Sequence, residues 1–254
     1  MTAADLSESS APRLRVATYN VHGCVGLARQ RAEARIAEVI ASMSVDVIGL
    51  QELDMGRKRS AGVDQAEIIA KQLGWNHLFE SAIQVVDEHY GIAILSRYPL
   101  THRRAIALPG KGSWYCRETR VALWAEAQTA AGPVQIINTH FGLGRAERFL
   151  QARHLADLLG DVPPAQPLVL LGDFNSRPSS RALQLLRQHL RDLRTALPAT
   201  GPCRTFPARY PIAAVDHIFV NAALLPISLE VHRAALARVA SDHYPLVAEL
   251  ARRP

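Results

Sequence analysis

Short apolar runs recur along the chain, at residues 14–19, 45–50, 92–95, 119–125, 134–137, 168–171, 215–220 and 246–250. Each is rich in β-branched or aliphatic residues and bounded by polar or turn residues, the pattern of a buried strand. Helical periodicity falls between them. Residues 28–41 place Ile36, Val39 and Ile40 on one face, and 65–73 and 145–159 behave similarly. A further helix is expected over 179–190, just after Pro178, with Ser179 as its N-cap. Several strands in the middle of the chain follow one another without helices, which instead fall near the start and in the second half. That mixture suggests two packed sheets with helices outside, a four-layer α/β/β/α sandwich, although periodicity alone supplies only the α/β mixture.

A chain of 254 residues, 48% hydrophobic, can bury a substantial core as one domain without disulfides. Proline and glycine are spread as turn punctuation and mark no linker, so one domain over 14–254 is expected, preceded by a disordered head at 1–13. Cys24, Cys116 and Cys203 are far apart in sequence, with no zinc spacing, and are read as reduced and structural. This points to a cytoplasmic location. The first residues lack a basic start and an apolar core, and no apolar stretch approaches the ~20 residues needed to span a bilayer. The formal charge of +6, carried mostly by arginine, is compatible with anionic substrates and equally with a compositional bias. Arg57, Arg59, Arg145 and Arg148 are scattered, and the sequence does not gather them on one face.

The chemistry-bearing residues sit at strand ends, where a rigid scaffold holds reactive groups at an open rim. Asn20 ends the first run before Gly23; its amide suits a phosphate oxygen or a metal-bound water, or else simply an Asx-turn. Gln51-Glu52 ends the second, placing a carboxylate where a hard cation could bind. His140 follows Asn138-Thr139. The strongest signal is Gly172-Asp173-Phe174-Asn175. A period of two puts Asp173 and Asn175 on one side and Phe174 in the core. Asp216 opens an apolar run, an odd place for a charge without a partner, and Asp242-His243 precede the last run. A neighbouring carboxylate can fix the tautomer and orientation of an imidazole.

Taken in order, these stretches resemble the endonuclease/exonuclease/phosphatase superfamily, in particular a small bacterial branch of it. The matching segments are 18–23, 50–52, 90–99, 138–140, 172–175, 215–216 and 241–243. The resemblance implies the four-layer sandwich of two packed mixed sheets and a Mg²⁺-dependent hydrolase of phosphate esters, with Mn²⁺ as a substitute ion. Glu52 would be the principal metal ligand, with Asn20 and Asp242 close by. Asp173 would orient or deprotonate the attacking water and Asn175 would hold a phosphoryl oxygen. His243, oriented by Asp216, would act as base or as phosphate donor. His140 would donate to a non-bridging oxygen or the leaving group, oriented by Glu88. Arg120 could meet the substrate phosphate with its guanidinium fork or form a salt bridge, and Arg204 and Phe206 are further candidate substrate contacts.

The first motif reads Asn20-Val-His22 and the second continues as Leu53-Asp54, departures that argue against abasic-site repair. A phosphodiesterase or nuclease is the leading expectation, with nucleic acid among its substrates. A sphingomyelinase-like lipid phosphodiesterase or a phosphomonoesterase is the alternative, and a catalytically silent binding module the distant one. Oligomeric state is not legible.

Overall fold

Alternation along the strands sorts apolar side chains into separate layers. In β1 (Arg13–Asn20), Leu14 and Val16 face one way, Ala17 and Tyr19 the other, and both sides are buried. The same split occurs in β8 (Leu168–Asp173), where Val169 and Leu171 point between the sheets and Leu168 and Leu170 point outward under helices. A run that is apolar at every position is what a strand covered on both faces requires. Each fully buried aliphatic side chain contributes about 1.5–3 kcal/mol relative to exposure.

The computed structural model describes residues 12–110, 118–197 and 203–253. After β1 come α1 (Glu33–Ser42), β2 (Val47–Met55), α2 (Gln65–Leu73), β3 (Asn76–Val85), β4 (Glu88–Ser96), β5 (Leu100–Leu108), β6 (Arg120–Thr129) and β7 (Gly132–His140). There follow α3 (Arg145–Leu159), β8, α4 (Arg181–Leu186), β9 (Arg191–Asp192), α5 (Leu193–Ala196), β10 (Asp216–Val220), β11 (Leu224–Val231), α6 (Ala235–Ala240) and β12 (Leu246–Arg252). Two six-stranded mixed sheets result, ordered β11-β12-β1-β2-β4-β3 and β5-β6-β7-β8-β10-β9. Each has one parallel pair at its centre, β1/β2 joined through α1 and β7/β8 joined through α3. Helices α1, α2 and α6 cover the first sheet through Ile36, Val39, Ile40, Ile69 and Ala237. Helices α3 and α4 cover the second through Leu155, Leu159 and Leu183. The expected α/β/β/α sandwich is therefore the fold.

Some details differ from the expectation. Each of the eight apolar runs falls on a strand, although runs 45–50, 119–125 and 215–220 start one or two residues before it, but β3, β5, β9 and β11 are not among them, and these four are the edges of the two sheets. The fourth long helix is shorter than 179–190. It runs from Arg181 to Leu186 with Ser180, not Ser179, as N-cap, because the Ser180 hydroxyl accepts from the Leu183 amide. Strand β1 begins at Arg13, and residues 1–11 of the expected head lie outside the described residues, as does Cys116. Cys24 and Cys203 are free. No helix among the described residues is long and apolar enough to cross a membrane.

One polar residue in the inter-sheet layer joins the sheets. Asn138 on β7 is fully buried and donates to the carbonyls of Leu50 (2.9 Å) and Ala93 (2.8 Å) on the opposite sheet. Its carbonyl accepts from Gln51 Nε2 at 2.7 Å, and Gln51 also bonds Thr18. Gly49 makes room, since a Cβ there would stand 2.7 Å from the Asn138 side chain and 2.2 Å from Leu171. Replacing Asn138 by Ala would leave a buried amide and two buried carbonyls without these partners. Asn138→Ala is therefore expected to lower unfolding free energy by roughly 3 kcal/mol, read from urea denaturation.

Asp192 pins the far edge of the second sheet. It caps α5 through the Arg194 amide, accepts from Arg187 Nε at 3.2 Å, and lies 3.7 Å from His217 Nδ1. Burial alone would push its carboxyl up, but His217 and Arg187 outweigh burial and hold it at about 2, below the reference value of 3.8. A depressed carboxylate contributes stability above its unfolded pKa and loses it as pH falls through the folded one. Urea midpoints of the protein and of Asp192→Asn should therefore differ at pH 6 and converge as pH drops from ~4 towards ~2.

Candidate active site

Strand register sets three polar residues side by side. Asp173 at the end of β8 pairs with His140 of β7 on one side and with Asp216 of β10 on the other. The Asp173 carboxylate is 1% exposed and Asp216 is fully buried. Gly172 lets β8 approach β7 closely, as a Cβ there would lie 2.0 Å from the Thr139 carbonyl oxygen, a backbone atom that cannot give way.

Asn175 reaches the site by a turn and not by extended alternation. Strand β8 ends at Asp173, and Asn175 adopts a left-handed φ of 47°. Its backbone N–H donates to Asp173 Oδ1 at 2.8 Å, the bond of an Asx-turn. Phe174 is turned into the core against Phe141 and Phe219, as expected.

The opposite sheet contributes Asn20 and Glu52. The side-chain amide of Asn20 donates to Glu52 Oε1 at 2.9 Å and to Asp173 Oδ2 at 3.1 Å, so one nitrogen spans the seam between the sheets. Glu52 occupies the β2–β4 bulge with φ 63°, an unusual backbone for a non-glycine residue. It lies against Tyr90, whose hydroxyl is pushed up first by burial and then by this carboxylate. Arg57 and Arg59 stack over the Tyr90 ring at 5.8 and 5.5 Å. Tyr90 was part of a recognised motif but was not singled out as a site residue, because nothing in an isolated Tyr-Gly pair shows that it faces Glu52.

The last loop closes the site. The Ser241 hydroxyl donates to the Asn20 carbonyl at 2.8 Å, tying the segment that carries Asp242 and His243 to the end of β1. His243 Nδ1 lies 3.0 Å from Asp216 Oδ2, and its Nε2 lies 3.7 Å from Asp173 Oδ2. Burial pulls the His243 pKa down, but Asp216, then Asp173 and Asp242, more than reverse this and raise it to about 10. The ring is therefore cationic at neutral pH. Asp173 is raised to about 7, first by burial and then by Asp216, against the opposing pull of His243. Phe206 packs on His243 with ring centroids 4.7 Å apart, whereas Arg204 is exposed. Asp242 is half-buried, 3.9 Å from His22 Nδ1.

His140 has a different partner from the expected one. Arg120 Nη1 stands 3.0 Å from its Nδ1. Both ring nitrogens face donors: the guanidinium at Nδ1, and at Nε2 the Asn175 amide nitrogen at 3.2 Å, with Asp173 Oδ2 3.6 Å from the same Nε2. Burial and then the Arg120 charge hold His140 well below its ordinary pKa, in the neutral form. Glu88, expected to orient this ring, instead faces Arg57 at 3.7 Å. Arg120 is buried, and its other terminal nitrogen meets Glu118 at 2.7 Å, so its fork is engaged within the protein.

Among the described residues, one buried group could hold a metal ion. Ligand atoms of Asp173, Asp216 and His243 lie within 4.8 Å of one another. The set expected from sequence was Asn20, Glu52 and Asp242, of which Asn20 and Glu52 are in direct contact.

The chain belongs to the Endonuclease/Exonuclease/phosphatase family, whose model matches residues 17–243. Members of that family are hydrolases acting on phosphate esters. It is 27% identical to YbhP of Escherichia coli K12, over 93% of this chain and 95% of that protein. Among solved structures it is similar to an endonuclease/exonuclease/phosphatase from Beutenbergia cavernae, with TM-score 0.77 and 23% identity over 94% of this chain and 72% of that one. It is also similar to the mannosyl-6-phosphatase Bt3783 of Bacteroides thetaiotaomicron, with TM-score 0.75 and 22% identity over 93% and 99%.

Arg120 contacts His140, whereas Glu88 faces Arg57. Arg120→Met should lower phosphate-ester hydrolysis by roughly 10–100-fold, the usual effect of removing a group that orients a functional imidazole, with Glu88→Gln affecting it far less. Steady-state kinetics on both variants, with thermal melts to confirm folding, checks this.

Proposed function

We propose that the protein is a divalent-metal-dependent phosphodiesterase of the nuclease kind, cleaving its substrate by in-line attack of water. The observation that carries this reading is the Asn20 amide, which joins Glu52 of one sheet to Asp173 of the other and so gathers two carboxylates and two imidazoles at one seam.

The donor set fits a hard cation. Glu52 offers a carboxylate oxygen from a bulge, 2.9 Å from the Asn20 amide that also reaches the Asp173 carboxylate. Glu52, with Asn20 and Asp242, would hold Mg²⁺, with Mn²⁺ as its substitute. When bound, such an ion neutralises charge developing on the phosphate and the leaving oxygen.

The remaining work falls to side chains. Asp173, fixed by the Asn20 amide and the Asn175 backbone N–H, orients the attacking water and takes its proton. His243 is held by Asp216 through Nδ1 and is cationic, so it serves as a donor to a phosphoryl oxygen. His140, held by Arg120 at Nδ1 and by the Asn175 amide at Nε2, would donate to a non-bridging oxygen or to the leaving group. Asn175 holds a phosphoryl oxygen, and Phe206 backs the His243 ring.

With bis(p-nitrophenyl) phosphate as the diester, turnover should require Mg²⁺ and stop in EDTA. Asp173→Ala and His243→Ala should each lower it by ~10²–10⁴-fold while the fold is kept. Glu52→Gln should shift the Mg²⁺ titration to higher concentration, and an unchanged titration removes Glu52 from the metal site. Preference for p-nitrophenyl phosphate over the diester would favour a phosphomonoesterase instead, the kind of activity that the Bacteroides neighbour's name carries.

A further inference from the structure

A groove of about 380 Å³ lies beside α3 and α4, lined by Arg145, Arg148, Phe149, Ser176 and Arg181 among others. Its walls are the first turns of α3 and α4 and the loop after β8. Arg145 opens the helix that follows His140, and Ser176 directly follows Asn175.

Three observations give the groove a ligand chemistry. Arg145 and Arg181 are both exposed, and neither is paired with a carboxylate among the described residues. Arg181 lies 5.5 Å over the Phe149 ring, which orients its guanidinium and adds an aromatic surface. Ser176 is 2% exposed, yet its hydroxyl has no hydrogen-bond partner. The Ser176 backbone is fixed, since its carbonyl accepts from His217 Nε2 at 2.9 Å. Two unpaired guanidiniums in a groove also lined by a serine whose hydroxyl lacks a partner are complementary to an anion with several acceptor oxygens.

We propose that this groove binds a phosphate flanking the one that is cleaved, and that the substrate is accordingly a single-stranded oligonucleotide. The inference rests on the phosphodiesterase reading. A strand carries a phosphate on each side of the scissile one, and its bases can stack on a ring such as Phe149.

Binding tests it without turnover. A fluorescein-labelled single-stranded deoxyoligonucleotide is titrated with protein in EDTA and followed by anisotropy. Arg145→Ala/Arg181→Ala should weaken binding by roughly tenfold or more. The slope of log affinity against log salt should shrink by about 0.7, the value for one phosphate on a single strand. Ser176→Ala should also weaken binding while raising the melting temperature of the free protein, because it removes a buried hydroxyl that lacks a partner. Arg253→Ala, an exposed arginine outside the groove, should bind as the unaltered protein does. The inference is overturned if the unaltered protein does not bind, if Arg253→Ala loses as much as the double variant, or if the double variant keeps the full salt slope. Failure of the hydrolase reading would appear in the diester assay and leave this binding measurement standing by itself.

Discussion

Asn138 occupies the layer where two apolar sheet faces meet, and it bonds to the backbone of the opposite sheet at Leu50 and Ala93 and to the Gln51 side chain. Apolar packing alone is non-directional and allows two sheets to slide. A fully satisfied amide in that layer admits one alignment. Leu50, Gln51 and Glu52 are consecutive, so the bonds that fix the alignment also fix the bulge from which Glu52 projects. The position of the Glu52 carboxylate is thus set from inside the core, with Gly49 leaving the space that the amide needs.

The site follows from that docking. One sheet brings His140, Asp173 and Asp216 abreast by strand register, and the other brings Asn20 and Glu52. The neighbouring charges then divide the two imidazoles between opposite states. His243 is surrounded by carboxylates and keeps its proton, whereas His140 lies against a guanidinium and loses it. Both rings are almost fully buried, so the difference comes from the charge beside each ring. Two site residues, Glu52 and Asn175, hold left-handed backbone, which is tolerated where surrounding structure over-determines it.

How much of this could be read from the chain depends on burial. All eight central strands are legible because a strand covered on both faces must be apolar at consecutive positions. The four edge strands are not. β5 carries His102, Arg103 and Arg104 in its exposed middle, and β3 is only partly buried along most of its length, so neither leaves a continuous apolar signature. Strand-end residues such as Asp173 and Asp216 were visible because a carboxylate next to an apolar run is conspicuous. Partnerships across the fold were not. Nothing local in Arg120 shows that it faces His140, or in Glu88 that it turns to Arg57, since each contact depends on how β4, β6 and β7 line up. The proximity of Asp173 and Asn175 was anticipated for the wrong reason, as a turn and not a pleat brings them together.

The Asn20 amide has a consequence for how such a protein loses competence. Two carboxylates from separate sheets share that one nitrogen, at 2.9 and 3.1 Å. A relative slip of about an ångström would leave helices, strands and most of the buried surface in place, yet pull at least one of those contacts beyond hydrogen-bonding range. The seam therefore behaves as a gauge of sheet alignment, and chemistry performed there would fail under mild stress well before any spectroscopic sign of unfolding.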